Sequence, residues 1–344
     1  MKFVIDKAIP FIEGVFEPFG AEVIYKEGPD IVHADIVDAD ALVIRTRTRC
    51  DAAMLDGTSV KLIATATASM DNIDQTWCKE HGIFVQNASG CNAGGVTNYV
   101  FSALFGTASR KSIPLMGKKI GIIGLGAAGQ RVEEMALALG FKTLRYDPLW
   151  AEKEGPAEFH DLDTVLAGAD IVTMHIPVND TTRGMADASF FARMKPGAFF
   201  INTAQGELVV EQDLIEAIPR LGPVALDTWC HEPDINRQLL DLVDIATPHI
   251  AGYTLQGKQI GTSMAIRAVA RFFSLSPLYD FFPTTGIVEY QAVHIDAHEK
   301  TQGEIASVIQ YNYPIFTDDF MFRMNPDRFK ELRINYSYRR EFYF

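Results

Sequence analysis

His249 lies in the segment Thr247-Pro-His-Ile-Ala-Gly-Tyr253 and Glu232 in Asp227-Thr-Trp-Cys-His-Glu-Pro233. An imidazole titrates near neutrality, so it suits removal of a proton from an alcohol. A carboxylate on its other ring nitrogen would fix the tautomer and favour the imidazolium. A third segment, Asn202-Thr-Ala-Gln-Gly206, completes the set. All three follow short apolar runs, at the carboxyl ends of strands where open α/β sheets bind ligands. Cys230-His231-Glu232 is not read as a metal site, because three adjacent residues do not converge on one ion.

A second kind of chemistry resides in Gly124-Leu-Gly126-Ala-Ala-Gly129, which follows the strand Lys119-Ile-Gly-Ile-Ile123 and opens a helix. Gly124 allows a tight turn, Gly126 lets the backbone approach a pyrophosphate, and Gly129 lets helix and strand pack closely. Ala128 and Gln130 belong to the first helical turn, whose free N–H groups face phosphates. Asp147, 18 residues after Gly129, ends the next strand. A carboxylate there can accept hydrogen bonds from both ribose hydroxyls and would repel the additional phosphate of NADP, so NAD is the expected cofactor. His175, before Ile176-Pro177, is expected as a strand-end residue near the adenosine.

These residues need elements to hold them. The first ninety residues alternate apolar runs (Phe3–Ile5, Glu22–Tyr25, Ala41–Ile44, Val60–Ile63, Gly82–Val85) with helical stretches such as 69–82. Unbroken apolar runs of this length suit parallel strands covered on both faces. A clearer alternation begins near Lys118: a helix from Gln130 to Leu139, then strands at 141–146, 171–174, 198–202, 223–226 and 244–246. Residues 118–250 therefore read as one doubly wound domain. The helix predicted over 259–275 carries an apolar face and is expected to return to the first domain. Beyond it, aromatic residues crowd 276–344 and need a surface to cover. A subunit interface is the preferred partner, with packing inside the chain as the alternative.

The chain has 344 residues, enough for two domains and a small third piece. Its 31 Lys and Arg against 44 Asp and Glu give a net charge of −13, and the sequence pI is about 5.1. That balance argues against a nucleic-acid or anionic-membrane surface. No apolar run approaches the roughly 20 residues a bilayer requires, and Asp6 and Lys7 interrupt the stretch where a signal peptide is apolar. The expected location is cytoplasmic. Four well-separated cysteines suggest reduced thiols.

The whole pattern resembles the D-isomer-specific 2-hydroxyacid dehydrogenases. Within that family, Ala64-Thr-Ala-Thr-Ala68, Gly90-Cys-Asn-Ala93, Tyr99-Val-Phe-Ser102, Pro248 to Leu255 with Gly257-Lys258, Arg333-Ile-Asn-Tyr336 and Arg339-Arg-Glu341 are similar to a branch acting on a phosphorylated 2-hydroxy acid. The resemblance implies an α/β chain with two doubly wound parallel-sheet domains. A discontinuous, flavodoxin-like substrate domain would span 1–93 and 254–275, and a Rossmann NAD-binding domain 94–253. Residues 276–344 would form a small α+β dimerisation region, making a homodimer. It implies His249 as acid/base with Glu232 as its partner. Asp147, Ile176, Thr203, Ala204, Gln205, Asp227 and Gly252 would contact NAD, while Thr46, Thr67 and Tyr253 would hold the phosphorylated acid.

Two positions depart from the family. Its motif places Arg where this chain has Gln205, and that Arg grips the substrate carboxylate. A neutral amide does not replace a bidentate cation, so Gln205 is expected in the catalytic site as a hydrogen-bond donor where a cation belongs, and losing one partner of a buried charge pair costs about 2–5 kcal/mol. Ser69 stands where the family has Gly. Arg45, Arg47 and Arg49 alternate along what reads as a strand end and so share a face; Arg45 or Arg47 is expected at the substrate phosphate. The alternatives are a related dehydrogenase or 2-keto-acid reductase suited to Gln205, and a catalytically weak NAD-binding protein that works by assembly.

Overall fold

A computed structural model describes residues 1–284 and 291–344. It divides into two compact units, one of Met1–Asn92 with Leu255–Gln291, the other of Ala93–Thr254 with Ala292–Phe344.

The first unit runs β1 (Lys2–Asp6), β2 (Glu22–Lys26), α1 (His33–Ile36), β3 (Ala41–Ile44), α2 (Ala52–Leu55), β4 (Leu62–Thr65), α3 (Gln75–Glu80) and β5 (Phe84–Asn87). The five strands are all parallel, in the flavodoxin-like order β2-β1-β3-β4-β5. Central β3 and β4 are buried at every residue, which is why they read as continuous apolar runs. Period-two alternation then sorts the side chains. Phe3, Ile5, Ala41 and Val43 pack against Ala265, Ile266 and Val269, whereas Val4, Leu42, Ile44 and Ile63 pack against Ile31, Ile36 and Leu55. The helix predicted over 69–82 is shorter, because the Asp74 carboxylate accepts the Trp77 N–H and starts α3 only at Gln75.

In the second unit the chain runs α4 (Ala93–Lys111), β6 (Lys119–Ile123), α5 (Ala127–Ala138), β7 (Lys142–Tyr146), α6 (Pro148–Glu154), α7 (Leu162–Gly168), β8 (Ile171–Met174), α8 (Ala188–Arg193), β9 (Phe199–Asn202), α9 (Glu211–Ala217), β10 (Val224–Leu226), α10 (Arg237–Leu242) and β11 (Ile245–Ala246). Its parallel sheet has the order β11-β10-β9-β8-β6-β7. The order reverses between β6 and β8, and that switch point is where such sheets bind ligands. The glycine turn closes β6 at this place. Helix α4 is buried almost throughout: Val96, Tyr99, Phe101, Leu104 and Phe105 share one core with Val132 and Met135 of α5. Being enclosed on every side, with polar Thr97, Asn98 and Ser102 buried as well, it has no amphipathic period to betray it in the sequence.

Helix α11 (Leu255–Phe272) then belongs to the first unit. The remaining elements, β12 (Val293–His294), α12 (Gln302–Asn312), α13 (Ile315–Met324), α14 (Phe329–Ile334) and β13 (Phe342–Tyr343), join the second, with β12 and β13 paired in parallel. The stretch 276–344, set apart by its aromatic content, is thus divided between the units. Part of that content is spent inside the chain: Tyr313 and Phe342, with Ile305, Ile309 and Ile315, complete the core around α4, and Phe322 and Phe329 complete the other core of the same unit. Among the described residues, no helix is long and apolar enough to cross a membrane.

Candidate active site

The glycine turn can be tested by what a side chain would meet. A Cβ on Gly129 would lie 1.9 Å from the Gly124 carbonyl oxygen, so only glycine lets α5 approach β6 this closely. Gly124 has φ +93, and a Cβ there would crowd His175 O and Ile176. Gly126, the N-cap of α5, differs: a Cβ there would meet nothing within 4 Å. Its backbone therefore borders open space at a helix N-terminus, the cradle a pyrophosphate requires. Half-buried Asp147 stands beside it. Its Oδ2 accepts from Leu125 N (2.8 Å) and its Oδ1 from Leu149 N and Trp150 N (both 3.1 Å), which aims the carboxylate and leaves lone pairs for hydroxyl donors. Arg145, two residues earlier on β7, is tied to Glu133 Oε1 (2.6 Å) and Glu158 Oε2 (2.6 Å). A cation so neutralised offers little to a 2′-phosphate. On the facing side, Ile176 approaches Gly124, and the buried Thr203 Oγ1 has no partner among the described residues. These features fit a dinucleotide. Burial pushes His175 down to about 3, so it is neutral at physiological pH, hydrogen-bonded to Thr173 Oγ1 at 2.9 Å.

Glu232 and His249 lie on the loops after β10 and β11. His249 Nδ1 lies 2.8 Å from Glu232 Oε2 and 3.1 Å from Oε1. Glu232 is held in turn by the Trp229 N–H at 3.0 Å, while the Trp229 indole donates to Thr247 O at 2.9 Å. With Nδ1 engaged, Nε2 is the nitrogen that can exchange a proton with a substrate. The His249 backbone has φ +57, a left-handed conformation that a non-glycine residue holds only when its surroundings impose it.

A buried carboxylate and a half-buried guanidinium impose it. Asp227 O accepts from His249 N (2.7 Å), and its carboxylate accepts from Ile250 N and Ala251 N (both 2.8 Å) and hydrogen-bonds Thr247 Oγ1 (2.7 Å). Burial pushes the Asp227 carboxyl above its usual range, opposed by His249 and by these donors. Asp227 is expected among the cofactor contacts; its buried carboxylate also holds the loop that carries His249. From the opposite side, Arg339 Nη1 donates to Ile250 O (3.0 Å) and Tyr253 O (3.4 Å), and Nη2 to Gly95 O (3.2 Å) and to Ala251 O. The loop around His249 is thus pinned by its N–H groups to an anion and by its C=O groups to a cation. Nothing in the spacing of the sequence exposed Arg339, which lies 90 residues beyond His249.

Gln205 follows β9, with its carbonyl accepting from Asn202 Nδ2 (2.9 Å) and the Ala204 N–H donating to Asn202 Oδ1 (3.0 Å). A Cβ on Gly206 would fall 2.0 Å from the Trp229 carbonyl carbon, so this turn is packed directly against the segment that carries Glu232. Gly252 adjoins the start of α4, where Gly95 leaves room for it. The Tyr253 hydroxyl accepts from Arg333 Nε at 3.1 Å, and Arg333 Nη1 lies 3.9 Å from Glu232 Oε2.

In the first unit the expected substrate contacts behave unequally. Thr46 is exposed. Thr67 Oγ1 lies 2.7 Å from Thr65 Oγ1 and 3.3 Å from Ser69 O. Ser69 is absent from the positive-φ residues, so this loop does not demand glycine. The arginine row is corrected: residues 45–49 form a turn after β3, not a strand end, and the shared face does not exist. Arg45 is spent on the fold, donating to Ala8 O at 2.7 Å and lying 3.9 Å from the buried Asp6 carboxylate. Arg47 is exposed.

Comparison with known proteins agrees with this geometry. Residues 100–251 match the family model described as "D-isomer specific 2-hydroxyacid dehydrogenase, NAD binding domain". The chain is 38% identical to an erythronate-4-phosphate dehydrogenase of Bacteroides fragilis over 99% of its own length and 97% of that protein's, and 36% identical to one of Yersinia pestis over 99% and 93%. Among solved structures it resembles an NAD+-bound 3-phosphoglycerate dehydrogenase of Entamoeba histolytica, at 26% identity and a TM-score of 0.68 over 83% of this chain and 99% of that one. The chain belongs to the D-isomer-specific 2-hydroxyacid dehydrogenase family, NAD-dependent oxidoreductases that act on a CH–OH group.

Proposed function

We propose that the enzyme oxidises 4-phospho-D-erythronate to 2-oxo-3-hydroxy-4-phosphobutanoate, a step in pyridoxal 5′-phosphate biosynthesis. The observation that carries the reading is the His249–Glu232 pair at 2.8 Å, with Nε2 left for the substrate; the near full-length likeness to proteins named for this substrate supports it. Bound NAD+ supplies the acceptor for the hydride that leaves C2. His249 Nε2 takes the proton of the C2 hydroxyl, and Glu232 balances the imidazolium charge that results. Gly124, Gly126, Ala128, Gly129, Gln130, Asp147, Ile176, Thr203, Ala204, Asp227 and Gly252 serve the cofactor, while Thr46, Thr67 and Tyr253 are the substrate contacts.

Gln205 favours a second reading, a related 2-keto-acid reductase whose substrate suits a neutral amide. Following NADH formation from 4-phospho-D-erythronate for the enzyme and for Gln205→Arg separates the two. Turnover by the unaltered enzyme is expected. If neither form turns over while both bind NADH, the erythronate assignment fails.

We further propose a homodimer through the C-terminal elements. Tyr311 on α12 and Phe320 and Met324 on α13 are 86%, 60% and 64% exposed, an apolar area that suits a second copy of the chain. Light scattering tests it, and a monomer at micromolar concentration would refute it. Four cysteines lying far apart in the sequence, as suits reduced thiols, agree with a cytoplasmic location.

A further inference from the structure

Arg333, on α14, stands one carboxylate away from the catalytic imidazole. Its Nη1 lies 3.9 Å from Glu232 Oε2, the oxygen that His249 Nδ1 contacts at 2.8 Å, and its Nε donates to the Tyr253 hydroxyl at 3.1 Å. Of its five N–H donors, Nε alone has a hydrogen-bond acceptor among the described residues, and 29% of the side chain is exposed. A guanidinium fixed at one edge, whose Nη donors make no hydrogen bond among the described residues beyond the 3.9 Å approach to Glu232, can receive an anion. Position 205, meanwhile, offers only an amide. We propose that Arg333 supplies the positive charge of this active site, meeting the carboxylate of a 2-hydroxy or 2-oxo acid in place of a cation at residue 205.

Placement and chemistry point the same way. The Glu232 carboxylate alone would add negative charge beside an anionic substrate, in a protein whose net charge is already −13. Arg333 offsets Glu232 and leaves the site attractive to a carboxylate. Its own position is secured from both sides. Phe329 anchors α14 in the core, and Arg339, six residues beyond Arg333, locks the tail to the loop of His249. This assignment rests on the proposed oxidation of a 2-hydroxy acid, but not on which acid it is.

The test uses oxalate, a planar dianion resembling the 2-oxo acid end of a product, titrated into the NADH complex and followed by NADH fluorescence. Arg333→Gln should weaken oxalate about 30-fold or more, the range expected for losing one partner of a charge pair, with NADH affinity unchanged. Arg333→Lys should retain much of the binding, and Gln205→Arg added to Arg333→Gln should restore it. Unchanged oxalate affinity in Arg333→Gln, equal losses in the Lys and Gln variants, or no oxalate binding by the unaltered enzyme overturns the proposal. If the oxalate results hold while 4-phospho-D-erythronate is not oxidised, the substrate reading fails and Arg333 keeps its role.

Discussion

Replacing Gly126 by alanine separates binding of the cofactor from folding. Gly126 has φ −67 and ψ −169, a conformation any residue adopts, and a Cβ there meets nothing within 4 Å. Alanine should therefore leave the folded state intact. By narrowing the unfolded ensemble it should even stabilise by about 0.4–1 kcal/mol, raising Tm by roughly 1–4 °C for a chain of this size. The same methyl would occupy the space a pyrophosphate must enter. Losing one charge-assisted hydrogen bond to a helix N–H costs about 1.5–3 kcal/mol, so the Kd for NADH should rise roughly 10- to 150-fold. The control is Gly129→Ala, whose Cβ would lie 1.9 Å from a backbone oxygen. That crowding cannot relax by rotating a side chain and should destabilise by about 1–3 kcal/mol. Thermal unfolding without ligand and fluorescence titration with NADH measure the two effects independently. A Gly126→Ala enzyme that binds NADH as tightly as the original would refute the assignment of this turn as the phosphate cradle.

Three further outcomes follow from the same geometry. Glu232→Gln keeps the shape of the side chain but removes the charge opposite His249, so kcat should fall about 10²–10⁴-fold with NADH affinity intact; a loss below tenfold would remove Glu232 from the mechanism. His175 binds its proton only near pH 3 when folded but near 6.5 when unfolded, so the unfolded state holds more protons between those values and stability falls as pH drops through 6.5. At pH 5 the loss is about 2 kcal/mol relative to pH 7; urea unfolding of His175→Gln should lose correspondingly less over that interval, and identical losses would contradict the assignment. Arg339→Ala strips donors from the carbonyls of Gly95, Ile250, Ala251 and Tyr253. At ~1–3 kcal/mol for each buried acceptor left unpaired, it should lower stability by about 3 kcal/mol or more in urea unfolding and depress kcat by releasing His249. Full activity and stability would show that the loop holds itself.

The sequence by itself determined the parts whose cause is local. A glycine turn between a strand and a helix, an acid at the next strand end, and histidine and glutamate after two consecutive strands all follow from periodicity and turn chemistry within a few residues, so the doubly wound class and the His249–Glu232 pair were legible. What depends on long-range packing was not. Helix α4 is enclosed on every side, so its apolar and polar residues alike are buried and it showed no period. The arginines at 45–49 alternate in the sequence but lie in a turn, and Arg45 is absorbed by Asp6 and Ala8, some forty residues earlier. Asp227 could be placed at a strand end, but which way its carboxylate points was settled by the N–H groups of Ile250 and Ala251. The tail read as surface in search of a partner. Only the tertiary structure spends part of it on the core of its own unit and brings Arg333 and Arg339 to the loop of His249, because a partly buried charge goes wherever the fold leaves backbone or carboxylate groups for it to satisfy.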